Sequence, residues 1–182
     1  MFETRKCEEQ TRKWITDVVI GLNFCPFAAR EMKRNTVRFT SFEQEDPAQC
    51  LQALLDEIQY LDNNPGTETS FLLFPGRFPD FMDFLDLVDL AEALILREGY
   101  EGIYQVASFH PNYQFAGSPP DDPANYTNRS PYPMLHLLRE ESVEQALEHY
   151  AGNAEEIPAR NIQVSREKGL IYMKMLRENC LK

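Results

Sequence analysis

Apolar positions recur at helical spacing over residues 5–22, where Cys7, Trp14, Ile15, Val18, Val19 and Leu22 fall on one side. Arg5, Lys6, Glu8, Glu9, Arg12 and Lys13 take the other. The pattern stops near Gly21, and Asn23-Phe24-Cys25-Pro26-Phe27 follows. Pro26 fits the first position of a short helix over 28–32, which makes Cys25 its N-cap. Residues 36–41 alternate and are β-rich, as a strand does. Asp46-Pro47 opens a helix to about Tyr60, with Leu51, Leu54, Leu55 and Ile58 on one side, and Asn63-Asn64-Pro65-Gly66 ends it. The apolar run 69–74 is of buried-strand type. Pro79 and Asp80 start a helix reaching Arg97, with Gly99 suited to its C-terminal cap. Strands are predicted over 102–109 and 134–138. Ser142 with Gln145 reads as an N-cap pair opening a helix to Tyr150. A last helical region, about 154–179, is interrupted near Gly169.

The order α-β-α-β-α-β-β-α-α makes the helix-linked strands parallel, with right-handed crossovers, and lets the last two run antiparallel. The expectation is an α/β (α+β) fold: a single domain over residues 1–182, with a small mixed sheet of about four strands and helices packed on it. A chain of 182 residues suits that, burying about 70% of its unfolded surface.

Between the last two strands lies the stretch 109–133, which holds six of the twelve prolines and has little periodicity. Loops longer than about 12–15 residues in compact domains are usually functional or disordered. Phe109, Tyr113, Phe115, Tyr126 and Tyr132 give this one side chains that pack, so it reads as an ordered, proline-stiffened loop.

Composition narrows the partners. The net charge of −11 repels nucleic-acid backbones and anionic membranes, so neither is an expected partner. No window approaches 18 consecutive apolar residues, so no transmembrane helix is expected. The charged start predicts no export signal, hence a cytoplasmic protein whose four cysteines are reduced and form no disulfide framework. A small-molecule ligand fits this picture; nothing in the chain sets an oligomeric state.

Candidate chemistry falls at four places. The acids Asp80, Asp83, Asp86, Asp89 and Glu92 repeat every third residue, but each step turns about 300°, so the row winds round its helix as a solvated face. Cys25, as an N-cap, would have its thiol pKa lowered by the helix dipole and become a nucleophile; its bland reading is a small buried hydrophobe. His110 leads the loop and His136 follows it, and antiparallel pairing could bring both imidazoles to one sheet end. Arg129, between Asn128 and Ser130, either holds a carboxylate or phosphate or staples the loop to Asp121 or Asp122.

The segments 18–28 (VVIGLNFCPFA), 106–117 (VASFHPNYQFAG) and 122–140 (DPANYTNRSPYPMLHLLRE) resemble the signature blocks of a bacterial family of unknown function. The resemblance spans roughly residues 11–162. It implies that Cys25, His110, Asp122, Asn125, Asn128, Arg129, Ser130, His136 and Arg139 occupy motif positions, and it brings no activity with it.

Two classes of function follow. One is a small-molecule enzyme for thiol-dependent transfer or hydrolysis, with Cys25 as nucleophile and His110 or His136 as base. Asn112 or Asp122 would orient the imidazole, and Arg129 would hold an anionic substrate group beside Asn125, Asn128, Ser130 and Arg139. A variant binds zinc through Cys25, His110 and His136. The other is a non-catalytic module whose stiff loop binds a small ligand or a protein partner.

Overall fold

The structure, a computed structural model, describes residues 2–150 and 152–182. Helix α1 (Phe2–Trp14) continues into a π-helical turn, Ile15–Ile20, so the helix expected over 5–22 is one rod whose last turns widen. Then come α2 (Ala28–Arg34), β1 (Val37–Ser41), α3 (Pro47–Asn63), β2 (Thr69–Leu73), α4 (Phe81–Arg97), β3 (Tyr104–Phe109) and β4 (Met134–Arg139). The chain ends with α5 (Glu140–Glu148), α6 (Ile157–Lys168) and α7 (Leu170–Asn179). Asp46 and Asp80 cap α3 and α4, accepting the backbone N–H of Gln49 and Met82. Gly169, with φ of 80°, separates α6 from α7. Helix α5 departs from expectation: it begins at Glu140, because β4 runs into it without a loop and the Glu140 N–H is taken by the Ile103 carbonyl. Ser142 therefore lies inside the helix and caps nothing.

The fold is α+β, built on one mixed sheet of order β1-β2-β4-β3. β1 and β2 are parallel, and β4 is antiparallel to both its neighbours. The helix-linked strands β2 and β3 thus point the same way, as predicted, but β4 lies between them. Strand pleating assigns each residue to one of two cores. Ser70, Leu72, Phe74, Tyr104, Leu135 and Leu137 face α3 and α4, where Leu54, Ile58, Leu61, Phe84 and Leu87 are buried. Phe71, Leu73 and Met134 face α1, the π-turn and α7, where they meet Trp14, Ile15, Val18 and Met173. The helical layers cover both sides of β2, all five residues of which are buried.

On the α3 side, Glu57 is buried beneath the sheet. Its carboxylate accepts from Arg38 Nε (2.9 Å) and Nη2 (3.2 Å), from Thr40 Oγ1 (2.9 Å) and from the Ser70 hydroxyl. The Arg38 guanidinium also lies 3.7 Å over the Tyr60 ring. Nearby, Arg139 donates to the Tyr104 hydroxyl (2.9 Å) and to the Leu61 carbonyl (2.6 Å), and Tyr104 donates to Asp62 (2.7 Å). Arg139 therefore ties β4 to β3 and to the end of α3.

Candidate functional site

The register aligns Ser41 with Leu73, Leu73 with Met134 and Met134 with Phe109. The C-terminal ends of β1, β2 and β3 and the start of β4 therefore share one end of the sheet. Ligands of open α/β sheets collect at such ends. Here the turn leaving β2, Pro75-Gly76-Arg77-Phe78, carries two left-handed residues: Gly76 with φ of 71° and Phe78 with φ of 49°. A glycine adopts this freely, whereas a Cβ-bearing residue pays about 1–2 kcal/mol.

His110 holds that turn. Its Nδ1 accepts the Asn112 backbone N–H at 2.9 Å, so the proton sits on Nε2, which donates to the Phe78 carbonyl at 2.8 Å. The ring is wedged between Phe81 and Phe84, with centroids at 5.2 and 5.3 Å, and is 1% exposed. Burial pushes its pKa down, so the imidazole is neutral. Both nitrogens are committed to backbone groups. It is the Asn112 main chain that fixes the tautomer, while the Asn112 side chain reaches the Pro79 carbonyl (3.3 Å).

The rest of the 109–133 loop is stitched by its own polar side chains. Asn125 accepts from the Phe115 N–H (3.0 Å) and the Ser118 hydroxyl (2.9 Å), and donates to the Pro119 carbonyl (2.9 Å). Asp122 caps the 3₁₀ turn Pro123–Thr127 and forms a bidentate pair with Arg166 of α6, at 3.2 and 2.7 Å. Arg166 holds the Asp122 carboxyl below its usual range. Asn128 accepts from Thr127, its carbonyl receives the His110 N–H, and Ser130 donates to the Tyr132 carbonyl. Arg129 does staple the loop, but through the Tyr113 and Pro120 carbonyls (2.9 and 2.8 Å) rather than through Asp121 or Asp122.

Cys25 lies in the turn between the π-helical segment and α2, half-buried. It is not an N-cap: α2 begins at Ala28, its N-cap is Phe27, and no side chain caps it. The π-turn carries the chain to Asn23, in the left-handed region with φ of 55°, and Pro26 is spent in the turn that precedes the helix. No dipole therefore points at the sulfur, and Cys25 Sγ makes no hydrogen bond among the described residues. His136 sits at mid-strand in β4, stacked on Phe71 with centroids 3.8 Å apart. Its Nε2 donates to Thr69 Oγ1 (2.6 Å), whose own hydrogen goes to the Leu137 carbonyl, and burial pushes its pKa down to about 3. Strand parity puts His136 on the α1 face and His110 on the α4 face, so the two imidazoles lie on opposite sides of the sheet. The zinc set Cys25, His110 and His136 is not assembled, and among the described residues no group of three His, Cys, Asp or Glu side chains could hold a metal. The five acids expected along α4 are all exposed, as a solvated face.

Thiol accessibility still singles out Cys25. Cys7, Cys50 and Cys180 are 4%, 0% and 0% exposed, and burial pushes Cys50 up to about 11 and Cys180 up as well. Under native alkylation Cys25 is expected to be labelled first; faster labelling of any other cysteine on mass mapping would contradict this.

One feature escaped the sequence reading. Beside the clamped turn is a cleft of about 400 Å³, walled by Pro75, Gly76 and Arg77, by Glu43 after β1, and by Lys6, Cys7 and Tyr132. Neither Lys6 nor Arg77 forms an ion pair among the described residues. The signal was present as a Pro-Gly turn directly after a buried strand, but the partners come from residues far apart in the chain. No helix among the described residues is long and apolar enough to cross a membrane.

No curated protein and no solved structure matches the chain. A family model matches residues 6–175, a longer span than the three blocks suggested, and the chain belongs to that family, described as Protein of unknown function (DUF1415).

Proposed function

We propose that the protein is a non-catalytic binding module for a small polar molecule carrying an acidic group, seated in the cleft beside the 75–78 turn. The observation that supports this is the His110 clamp. A left-handed Phe78 is costly, and such strain tends to persist where a ligand wall must be held in one shape. Arg77 and Lys6 supply cations for the acidic group, and Glu43 and the Tyr132 ring complete the wall. A net charge of −11 disfavours nucleic acid as the occupant and suits a cytoplasmic protein. A second reading, thiol-dependent transfer or hydrolysis at Cys25 with the 109–133 loop, draws on Cys25 being the least buried of the four thiols.

The test is thermal unfolding in the presence of succinate, citrate, glutamate and AMP, each matched to sodium chloride at equal ionic strength. At a hundredfold excess over Kd, a true ligand stabilises by about 2.7 kcal/mol. At least one compound is expected to raise Tm in the wild type and to lose that effect in Arg77→Ala, an exposed position that leaves the fold intact. If none raises Tm, or if the rise persists in Arg77→Ala, the cleft reading fails. Any turnover abolished by Cys25→Ser would move the assignment to the thiol.

A further inference from the structure

Two arginines lie beside Ser130 where α7 packs against the loop, and among the described residues neither forms an ion pair. Arg177, in the last turn of α7, is half-buried and donates from Nε to the Ser130 carbonyl at 2.9 Å. Arg129, the neighbour of that same Ser130, spends Nε and Nη2 on the Tyr113 and Pro120 carbonyls, and its guanidinium carbon lies 4.8 Å over the Tyr126 ring. No carboxylate comes within 4.0 Å of either guanidinium among the described residues. Asp122 pairs with Arg166, and Glu178, whose charge reaches Arg177 without an ion pair, lies beside Lys174 at 3.9 Å.

We propose that Arg129 and Arg177 form a binding site for a small oxyanion, a carboxylate or a phosphate group. Among the described residues, both Nη atoms of Arg177 and Nη1 of Arg129 are left as donors after the backbone contacts are made, and the Tyr126 hydroxyl, on the 3₁₀ turn that α7 packs against, makes no hydrogen bond. A guanidinium presents its N–H groups as a planar fork matched to such an oxyanion. Desolvating a cation without a partner is costly, and an anion placed between the two forks would offset that cost for both. Burial pushes the Arg177 pKa down and the Arg129 charge adds to this, against Tyr126, Glu178 and Cys180, which favour the cation. Ser130 fixes the geometry: its carbonyl anchors Arg177 while its hydroxyl is turned to the Tyr132 carbonyl, so the peptide between the two arginines cannot swing. The proposal takes no donor from the cleft side chains and stands whether or not the cleft binds a ligand.

The experiment titrates inorganic phosphate and, separately, malonate into the full chain, with sodium chloride at equal ionic strength as the reference, following Tm and the heat of binding. One of the two anions is expected to raise Tm in a saturable way that chloride does not reproduce. A response to phosphate alone assigns a phosphate group to the ligand, and a response to malonate alone assigns a carboxylate. Arg177→Met, which keeps an apolar stem against α7's neighbours, is expected to weaken binding at least tenfold, whereas Lys174→Met leaves it unchanged. Should Arg177→Met fail to fold, Arg177→Lys keeps the charge but loses the fork, and is expected to weaken binding in the same direction. Equal responses to chloride, or anion binding indifferent to both Arg177 variants, would overturn the site.

Discussion

Replacing His110 with alanine is expected to lower the free energy of unfolding by about 3 kcal/mol, from the cavity left between Phe81 and Phe84 and from the orphaned Phe78 carbonyl and Asn112 N–H. His110→Gln, whose amide can still donate to Phe78, is expected to recover part of that loss. The pH dependence separates the ring's titration from its packing. The folded-state pKa of His110 lies below the ordinary 6.5, so below pH 6.5 the unfolded chain binds a proton that the native state refuses. Stability is therefore full above pH 6.5 and falls as the pH drops toward the folded value, by up to about 1.4 kcal/mol per pH unit. Asp80 opposes this shift and Arg177 reinforces it. His136, also lowered, adds the same sign in every variant. Urea unfolding at pH 7.5 and 5.5 is expected to show a smaller acid loss for His110→Gln than for the wild type; equal losses would mean that His110 does not titrate as a buried neutral ring.

Arg38→Met is expected to cost about 3 kcal/mol. The substitution strips the bidentate partner from Glu57, whose side chain is 6% exposed, and leaves only the Thr40 and Ser70 hydroxyls to satisfy a buried carboxylate. The figure lies at the low end for a broken buried pair because Arg38 itself is 34% exposed and part of its charge is already screened by water. Glu57→Gln should be milder, since its amide oxygen still accepts from the hydroxyls and Arg38 can turn to solvent. Chemical denaturation of both single variants and the double variant gives the coupling directly. Losses that simply add would show that Arg38 and Glu57 do not act as a unit.

Much of the architecture was legible because it is written locally. The period of Leu51, Leu54 and Ile58, the caps at Asp46 and Asp80 and the break at Gly169 each act within a turn or two of chain. What was not legible depended on parity and on distant partners. His110 and His136 invite pairing in sequence because their strands are neighbours, yet one step of pleat decides which layer each ring enters. Cys25 was placed two residues too close to a helix because nothing in Ile15–Ile20 announces a π-turn, and α2 starts only at Ala28. The loop residues read as directional polar groups, which they are, but their targets are backbone carbonyls and amides that only the folded loop brings within reach. The Glu57 node joins residues 13 to 19 positions apart through three separate elements, a relation that no periodicity encodes.

The late strand at the centre of the sheet also governs how the chain can be made. β4 is the last of the four strands to leave the ribosome, yet it is the partner of both β2 and β3. Until about residue 139 has emerged, the nascent chain holds only the β1–β2 pair and a detached β3, each with an open hydrogen-bonding edge. Closing loops of the β2–β4 kind, about 70 residues long at Thr69 and Leu138, is slow relative to local helix formation. Translation past Arg139, rather than collapse of the N-terminal half, therefore sets the moment at which those edges are sealed against other chains.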